Sequence, residues 1–464
     1  MRGVATLVRR LRSLDARHGS LPLVALAVVL VLSIAARAAW LGEPCRVPCH
    51  TASDRSLIFD ETYYVNAARV IAGLRPPRGQ PYAGAPAGLD PNAEHPQLAK
   101  LIIAESIETL GDGPLAWRLP SLLLGSLAIL GLFVLARAAG AGRWTAVGAC
   151  ALMACDNLSL VHGRMGTLDV YALAAMVWGV ALYLRGRPLL AGAVIGLGAC
   201  TKLVALDALL VLGLVEGLRL VETRWSSSGA RFSPAIGGPR AGLALGRAWA
   251  RFGAAIRRLC ASGASAAAVL VGLLAIMDRI APPYDAGAGV RVAAGPFAHL
   301  AHMLSFAATQ TSPHGPRGIA SYPWQWIADY KPIVYLYINP GQPARGLGGI
   351  HPAVHFLGMI SPPILLLALP ALLLGARGRA AADDRAGLGL AWSIGTFAPL
   401  ELLSLVAHRT SYLYYMVLVM PGVYVAVAQL IARARGRRHR QLAVIWACAV
   451  LLAVLGMYPF TPLP

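Results

Sequence analysis

The chain has 464 residues, 57% of them hydrophobic and only 13% charged, with a formal net charge of +20 and a mean hydropathy of +0.60. Soluble globular chains carry roughly a quarter charged residues, so this composition excludes a soluble domain and defines an all-α polytopic membrane protein. The positive charge does not point to nucleic acid, because it collects in alternate connecting segments rather than on one amphipathic face.

Crossing a hydrocarbon core takes about 20 apolar residues. About eleven runs qualify as transmembrane helices, near 21–40, 115–136, 144–162, 168–184, 189–203, 204–221, 263–281, 353–376, 386–407, 411–432 and 441–459. The tail that carries Arg2, Arg9, Arg10, Arg12 and Arg17 precedes the first run. With that tail inside, the net charge gathers on the cytoplasmic face, as the positive-inside rule requires. The expected layout is a multi-pass plasma-membrane protein, N-terminus cytoplasmic and C-terminus outside, its first run an uncleaved anchor.

The first outer segment, 41–114, is too long for a simple connector. It opens with Cys45 and Cys49, which an oxidising compartment could join and which equally read as free thiols. Helical spacing over Asp60 to Gly73 and over Leu98 to Leu110 predicts two short amphipathic helices at the membrane surface. Arg75 to Asn92, rich in Pro and Gly, reads as an irregular loop. Segment 222–262 reads as a basic cytoplasmic loop. Segment 282–351 reads as a second outer loop, whose Tyr322, Trp324, Trp326, Tyr330, Tyr335 and Tyr337 suit an interfacial belt, or a surface for a sugar or peptide.

Two adjacent carboxylates, Asp60 and Glu61, stand just beyond the first run. Acids at a bilayer surface are ordinarily solvated, but other ionisable groups fall on the same side: His95, Lys100, Arg118, Arg164, Asp169 and Arg409. Charge at span ends is expensive unless it pairs or lines a cavity. Cations gathered opposite carboxylates suit a phosphate, which Arg grips bidentately and Lys neutralises. Arg164 and Asp169 lie five apart and read as an ion pair. Lys202 and Asp207, beside the fifth and sixth runs, are what a transporter would offer, although no internal repeat accompanies them. There is no glycine-rich phosphate loop, no His-Glu-x-x-His helix and no Cys-x-x-Cys pair, so no metal ligand set or bound cofactor is expected.

Four stretches resemble, in order, the protein O-mannosyltransferase family of GT-C membrane glycosyltransferases. They are Phe59-Asp60-Glu61-Thr62-Tyr63-Tyr64, His95-Pro96-Gln97-Leu98-Ala99-Lys100-Leu101, Trp117-Arg118-Leu119-Pro120-Ser121, and Gly163-Arg164 through Leu168-Asp169. Arg409 to Pro421 is a weaker fifth match. Gln97 and Ala99 replace the family's Pro and Gly, and 282–351 is too short for a β-trefoil domain, which indicates a bacterial form. The resemblance implies a GT-C fold and a polyprenyl-phosphate-sugar donor, with mannose moved to Ser or Thr of an exported protein by inversion. Asp60 would be the general base and Glu61 would orient the acceptor or a neighbouring cation. His95, Lys100, Arg118, Arg164 and Arg409 would hold the donor, with Asp169 steadying Arg164. A lipid or cell-wall glycan acceptor is the alternative within the same fold.

Overall fold

The computed structural model describes residues 19–42, 57–228, 239–338, 354–377, 384–434 and 436–460. The basic tail and both Cys45 and Cys49 lie outside the described residues. In chain order the first helices are α1 (Leu21–Ala38), α2 (Glu61–Ile71), α3 (Leu98–Leu110), α4 (Pro114–Ala138), α5 (Arg143–Cys155), α6 (Asn157–His162), α7 (Asp169–Leu184) and α8 (Pro188–Ala199). They continue as α9 (Asp207–Ser228), α10 (Pro239–Ile280), α11 (Pro296–Thr309), α12 (Pro323–Trp326), α13 (Pro362–Arg377), α14 (Asp384–Val406), α15 (Met416–Ala432) and α16 (Arg437–Met457). Pro114, Pro188, Pro296 and Pro323 open helices at the position where a missing N–H costs nothing. By length and composition, six helices among the described residues can cross a membrane unaided, and α5, α7, α8 and most of α13 are shorter apolar helices.

Three expectations change. The run at 144–162 is broken at Asp156, whose carboxylate accepts from Ser159 N and caps α6, and also from Ser361 N (2.7 Å) and the Tyr424 hydroxyl (2.8 Å). The run at 353–376 begins as strand: β4 (Val354–Gly358) pairs antiparallel with β3 (Ile333–Ile338) before α13 starts. Segment 222–262 is largely helix rather than loop, since α9 runs on to Ser228 and α10 starts at Pro239. Its Ala, Leu and Arg are strong helix formers, which a reading by charge alone overlooks.

Between membrane helices, close approach depends on small residues, since lipid offers no hydrophobic drive for them to associate. On α8, a Cβ at Gly192 would lie 2.1 Å from the Ser262 carbonyl oxygen of α10, and one at Gly196 would lie 2.5 Å from that of Ala266. Gly192→Leu must therefore push α8 off α10, and is expected to cost roughly 2–3 kcal/mol of stability. The check is the thermal midpoint of the purified protein in detergent; an unchanged midpoint would refute this packing.

The 41–114 segment is knitted to the end of α10 and to the 282–351 segment. Asp90 N donates to Pro282 O (2.9 Å), Tyr284 N donates to Asp90 O (2.8 Å), and Gln97 Nε2 donates to Asp278 Oδ1 (2.7 Å). Buried His299 faces Asp278 Oδ1 through Nδ1 and Ala93 O through Nε2. Helix α2 packs against α3, and α3 against α4. While α2 is buried on most sides, α3 exposes Ile102, Glu105, Glu108 and Leu110.

Candidate active site

The site begins at a bend in the backbone. Phe59 adopts φ +53°, a left-handed conformation that costs a non-glycine residue about 1–3 kcal/mol and persists only where neighbours enforce it. Here Tyr335 stacks on its ring at 4.4 Å and Tyr414 meets it edge-on at 5.5 Å. The bend presents Asp60 at the N-cap of α2.

Glu61, the next residue, is wholly engaged by the protein. Its Oε1 accepts from Arg118 Nε (2.9 Å) and Gly166 N (2.9 Å), and its Oε2 from Arg118 Nη2 (2.9 Å) and Ile58 N (2.8 Å). The carboxylate thus ties the start of α2, the start of α4 and the turn before α7 to one point. Asp60 differs: its carboxylate accepts no hydrogen bond from the described residues, and it is only partly buried. Burial lifts it to about 7, against a pull from Lys202 and with a push from Asp169. Near neutral pH such a carboxyl exchanges its proton readily.

The cations sort differently from the sequence expectation. Lys100 is fully buried and directs its three protons to Asp90 Oδ2 (2.5 Å), Asn92 O (2.5 Å) and His95 O (2.8 Å). Arg118 is committed to Glu61 and to Leu41 O (3.0 Å). Arg164 is not paired with Asp169. It donates instead to Ala39 O (2.7 Å) and Trp40 O (3.2 Å) beyond α1, and lies against the rings of Phe356, Tyr458 and Phe460. These three hold the scaffold and have few protons left for a ligand.

Asp169 accepts from Lys202 Nζ at 2.7 Å. Lys202 lies over the rings of Tyr414 (5.6 Å) and Tyr415 (5.2 Å) and acts electrostatically on Asp60. Sequence reasoning had set this lysine aside as the mark of a transporter; a lone Lys between two apolar runs was the available signal. Arg409 donates to Ala307 O and is half-buried. His95 tilts against Tyr64 with ring centres 5.9 Å apart. Burial, then Lys202, Lys100 and Arg409, hold His95 well below the ordinary imidazole range, so it is neutral near pH 7.

Aromatic rings floor the site. Tyr412 and Tyr414 stack at 5.6 Å, His162 stacks on Tyr414 at 5.8 Å, and the Tyr335 hydroxyl is hydrogen-bonded to His162 Nε2 at 2.9 Å. Trp326, fully buried, continues this floor from Tyr415 to Phe397. Beneath it lies a cavity of about 230 Å3 between α13, α14 and α15, lined almost wholly by apolar side chains including Leu365, Leu369, Ile394, Phe397 and Met416.

Residues 94–228, which include His95, Lys100, Arg118, Asp169 and Lys202, match the model of a family described as dolichyl-phosphate-mannose-protein mannosyltransferase. A curated relative, the polyprenol-phosphate-mannose–protein mannosyltransferase of Corynebacterium glutamicum, is 30% identical over 128 residues. That stretch covers 26% of this chain, and the chain spans about a quarter (24%) of the length of the relative. Among solved structures, the Saccharomyces cerevisiae protein O-mannosyltransferase Pmt1-Pmt2 complex bound to its sugar donor matches with a TM-score of 0.64 at 10% identity, covering 94% of this chain and 90% of that one. ArnT of Cupriavidus metallidurans bound to undecaprenyl phosphate matches with a TM-score of 0.50 at 16% identity, over 93% of this chain and 63% of that one. At such identities the structural likeness is one of fold.

The chain is a multi-pass membrane protein with the GT-C fold that these structures share. Over residues 94–228 the chain is similar to the dolichyl-phosphate-mannose-protein mannosyltransferase family.

Proposed function

We propose that the protein transfers mannose from a polyprenyl-phosphate carrier to Ser or Thr hydroxyls of exported polypeptides, at the outer face of the plasma membrane and with inversion at the anomeric carbon. The single observation that carries this reading is Asp60: an acid raised to about 7 by burial, accepting no hydrogen bond among the described residues, and set beside a carboxylate that is fully paired. Asp60 takes the acceptor's hydroxyl proton as its oxygen bonds to the anomeric carbon. The bond from that carbon to the phosphate oxygen breaks, and the carrier leaves as a phosphomonoester. Negative charge grows on the departing phosphate, where fixed cations contribute most. Lys202 and Arg409 are the cations placed to meet it, with neutral His95 as a hydrogen-bond partner, and no divalent metal takes part in this reading. The apolar cavity beneath Trp326 suits the first units of the prenyl chain. The basic N-terminal tail faces the cytoplasm in this arrangement.

The base must be unprotonated, so transfer is expected to rise with pH through about 7 and level off above it. One unit lower, it should fall to about a tenth of the plateau. The direct test uses membranes containing the full chain, labelled polyprenyl-phosphate-mannose and a Ser/Thr-rich peptide. Label in the peptide supports the reading; label moving instead into lipid or polysaccharide would replace the acceptor while keeping the site. No transfer at all with intact carrier would overturn it.

A further inference from the structure

Tyr335 stands where the β3–β4 ribbon breaks its register. Val334 pairs with Leu357 and Leu336 with the adjoining Phe356, so Tyr335 is an extra residue with no partner on β4. Such bulges re-aim a side chain, and they gather next to active sites. Val334 and Tyr337 are exposed on the ribbon, whereas Tyr335 is 7% exposed and turns inward. Room for it depends on Gly358: a Cβ there would lie 2.3 Å from the Tyr335 hydroxyl oxygen and 2.4 Å from its Cζ.

The ribbon is fixed at several points. Asn157 Nδ2, at the start of α6, donates to Leu357 O (2.8 Å), and His355 N donates to Pro459 O (2.9 Å). At the other end of α6, His162 Nε2 is hydrogen-bonded to the Tyr335 hydroxyl (2.9 Å), and His162 Nδ1 lies 3.4 Å from Thr167 Oγ1. With its backbone and its hydroxyl both held, the ring between them rests on Phe59 at 4.4 Å. Phe59 is the residue at φ +53°, directly before Asp60. Packing within an aromatic floor accounts for a buried tyrosine. It does not account for a bulge, a matching glycine and an anchored hydroxyl that converge on one strained residue.

We propose that Tyr335 is a positioning residue for Asp60: its ring holds Phe59 in the left-handed turn that aims the Asp60 carboxylate toward Lys202, so that segment 282–351 sets the reacting acid. The proposal rests on the reading of Asp60 as the general base. Tyr335 acts through Phe59 and moves no proton itself. Glu61 fixes the same turn from the other side by accepting from Ile58 N, so the backbone before Phe59 and the ring of Phe59 are held separately. A displacement of about 1 Å at a reacting group can cost about a hundredfold in rate, which is the scale on which a slackened ring contact would be felt.

The test is steady-state transfer by the full chain in membranes, with kcat, the KM for labelled polyprenyl-phosphate-mannose and the pH profile measured per folded molecule. Gly358→Ala pushes the ring from behind, and is expected to lower kcat about tenfold or more while KM stays within about twofold. Tyr335→Leu removes the ring and should cost about a hundredfold. Tyr335→Phe keeps the ring without its anchor and should cost about fivefold. In Gly358→Ala and Tyr335→Leu the pH midpoint of transfer should fall below about 7, toward the ordinary carboxylate value near 4, as Asp60 leaves its buried position. In an Asp60→Asn background, Gly358→Ala should cost nothing further. Unchanged kcat and pH midpoint in Gly358→Ala, equal losses for Tyr335→Phe and Tyr335→Leu, or an undiminished effect of Gly358→Ala in the Asp60→Asn background would each overturn the proposal and leave Tyr335 structural. Full activity of Asp60→Asn by itself is a different failure: it would remove the base, and the positioning role with it.

Discussion

Asp60→Asn is expected to reduce sugar transfer by about a thousandfold, the range for loss of a positioned general base, while the protein folds and inserts as before. The side chain nearly keeps its shape, and the carboxylate it replaces accepts no hydrogen bond from the described residues. Stability should separate from activity in a particular direction. A carboxyl raised to about 7 in the folded protein, against roughly 4 when unfolded, binds its proton more tightly when folded. The folded state therefore loses stability as pH climbs from about 4 through 7, and changes no further above that. Removing the charge should leave the thermal midpoint unchanged at pH 4 and raise it at pH 8. Transfer per folded molecule and midpoints at both pH values make the check. Full activity in the Asn variant would remove Asp60 from the mechanism, and a collapsed midpoint would make it structural.

The position of Asp60 and Glu61 was legible because a short polar motif after an apolar run survives without tertiary information. Helices α2 and α3 were legible from their spacing, to within two residues at each end. What the sequence could not supply was which cation meets which anion. Arg164 and Asp169, five apart, looked like partners, yet Arg164 turns back to the end of α1 and Asp169 reaches Lys202, 33 residues on. Arg118 finds Glu61 across 57 residues. In each case the pairing is set by how helices stack in three dimensions, which a linear spacing cannot register. The strand β4 was hidden similarly: Val354, Phe356 and Leu357 are as apolar as a span, and only pairing with β3 distinguishes them.

The neighbour of Asp60 should answer the same substitution in the opposite way. Glu61 is the acceptor of four hydrogen bonds from three separate parts of the chain, all buried. Breaking a buried ion pair from one side costs about 3–5 kcal/mol, because the other charge is left without a partner. Glu61→Ala should exceed that, since the backbone N–H groups of Ile58 and Gly166 lose their acceptor too, at about 1–3 kcal/mol each. Arg118→Met should cost less, as Glu61 then keeps both backbone donors. Replacing both, Glu61→Leu with Arg118→Met, removes the stranded charge and should recover part of the loss, but not the backbone share. Thermal midpoints of the three variants in detergent decide the order. If Glu61→Ala proved no more destabilising than Asp60→Asn, the two carboxylates would be equivalent and the division between a reacting acid and a structural one would fail. Any folded fraction of Glu61→Ala should also transfer sugar slowly. The Ile58–Glu61 hydrogen bond holds the turn that carries Phe59 at its left-handed φ, and once that turn relaxes Asp60 no longer faces Lys202 as it does here.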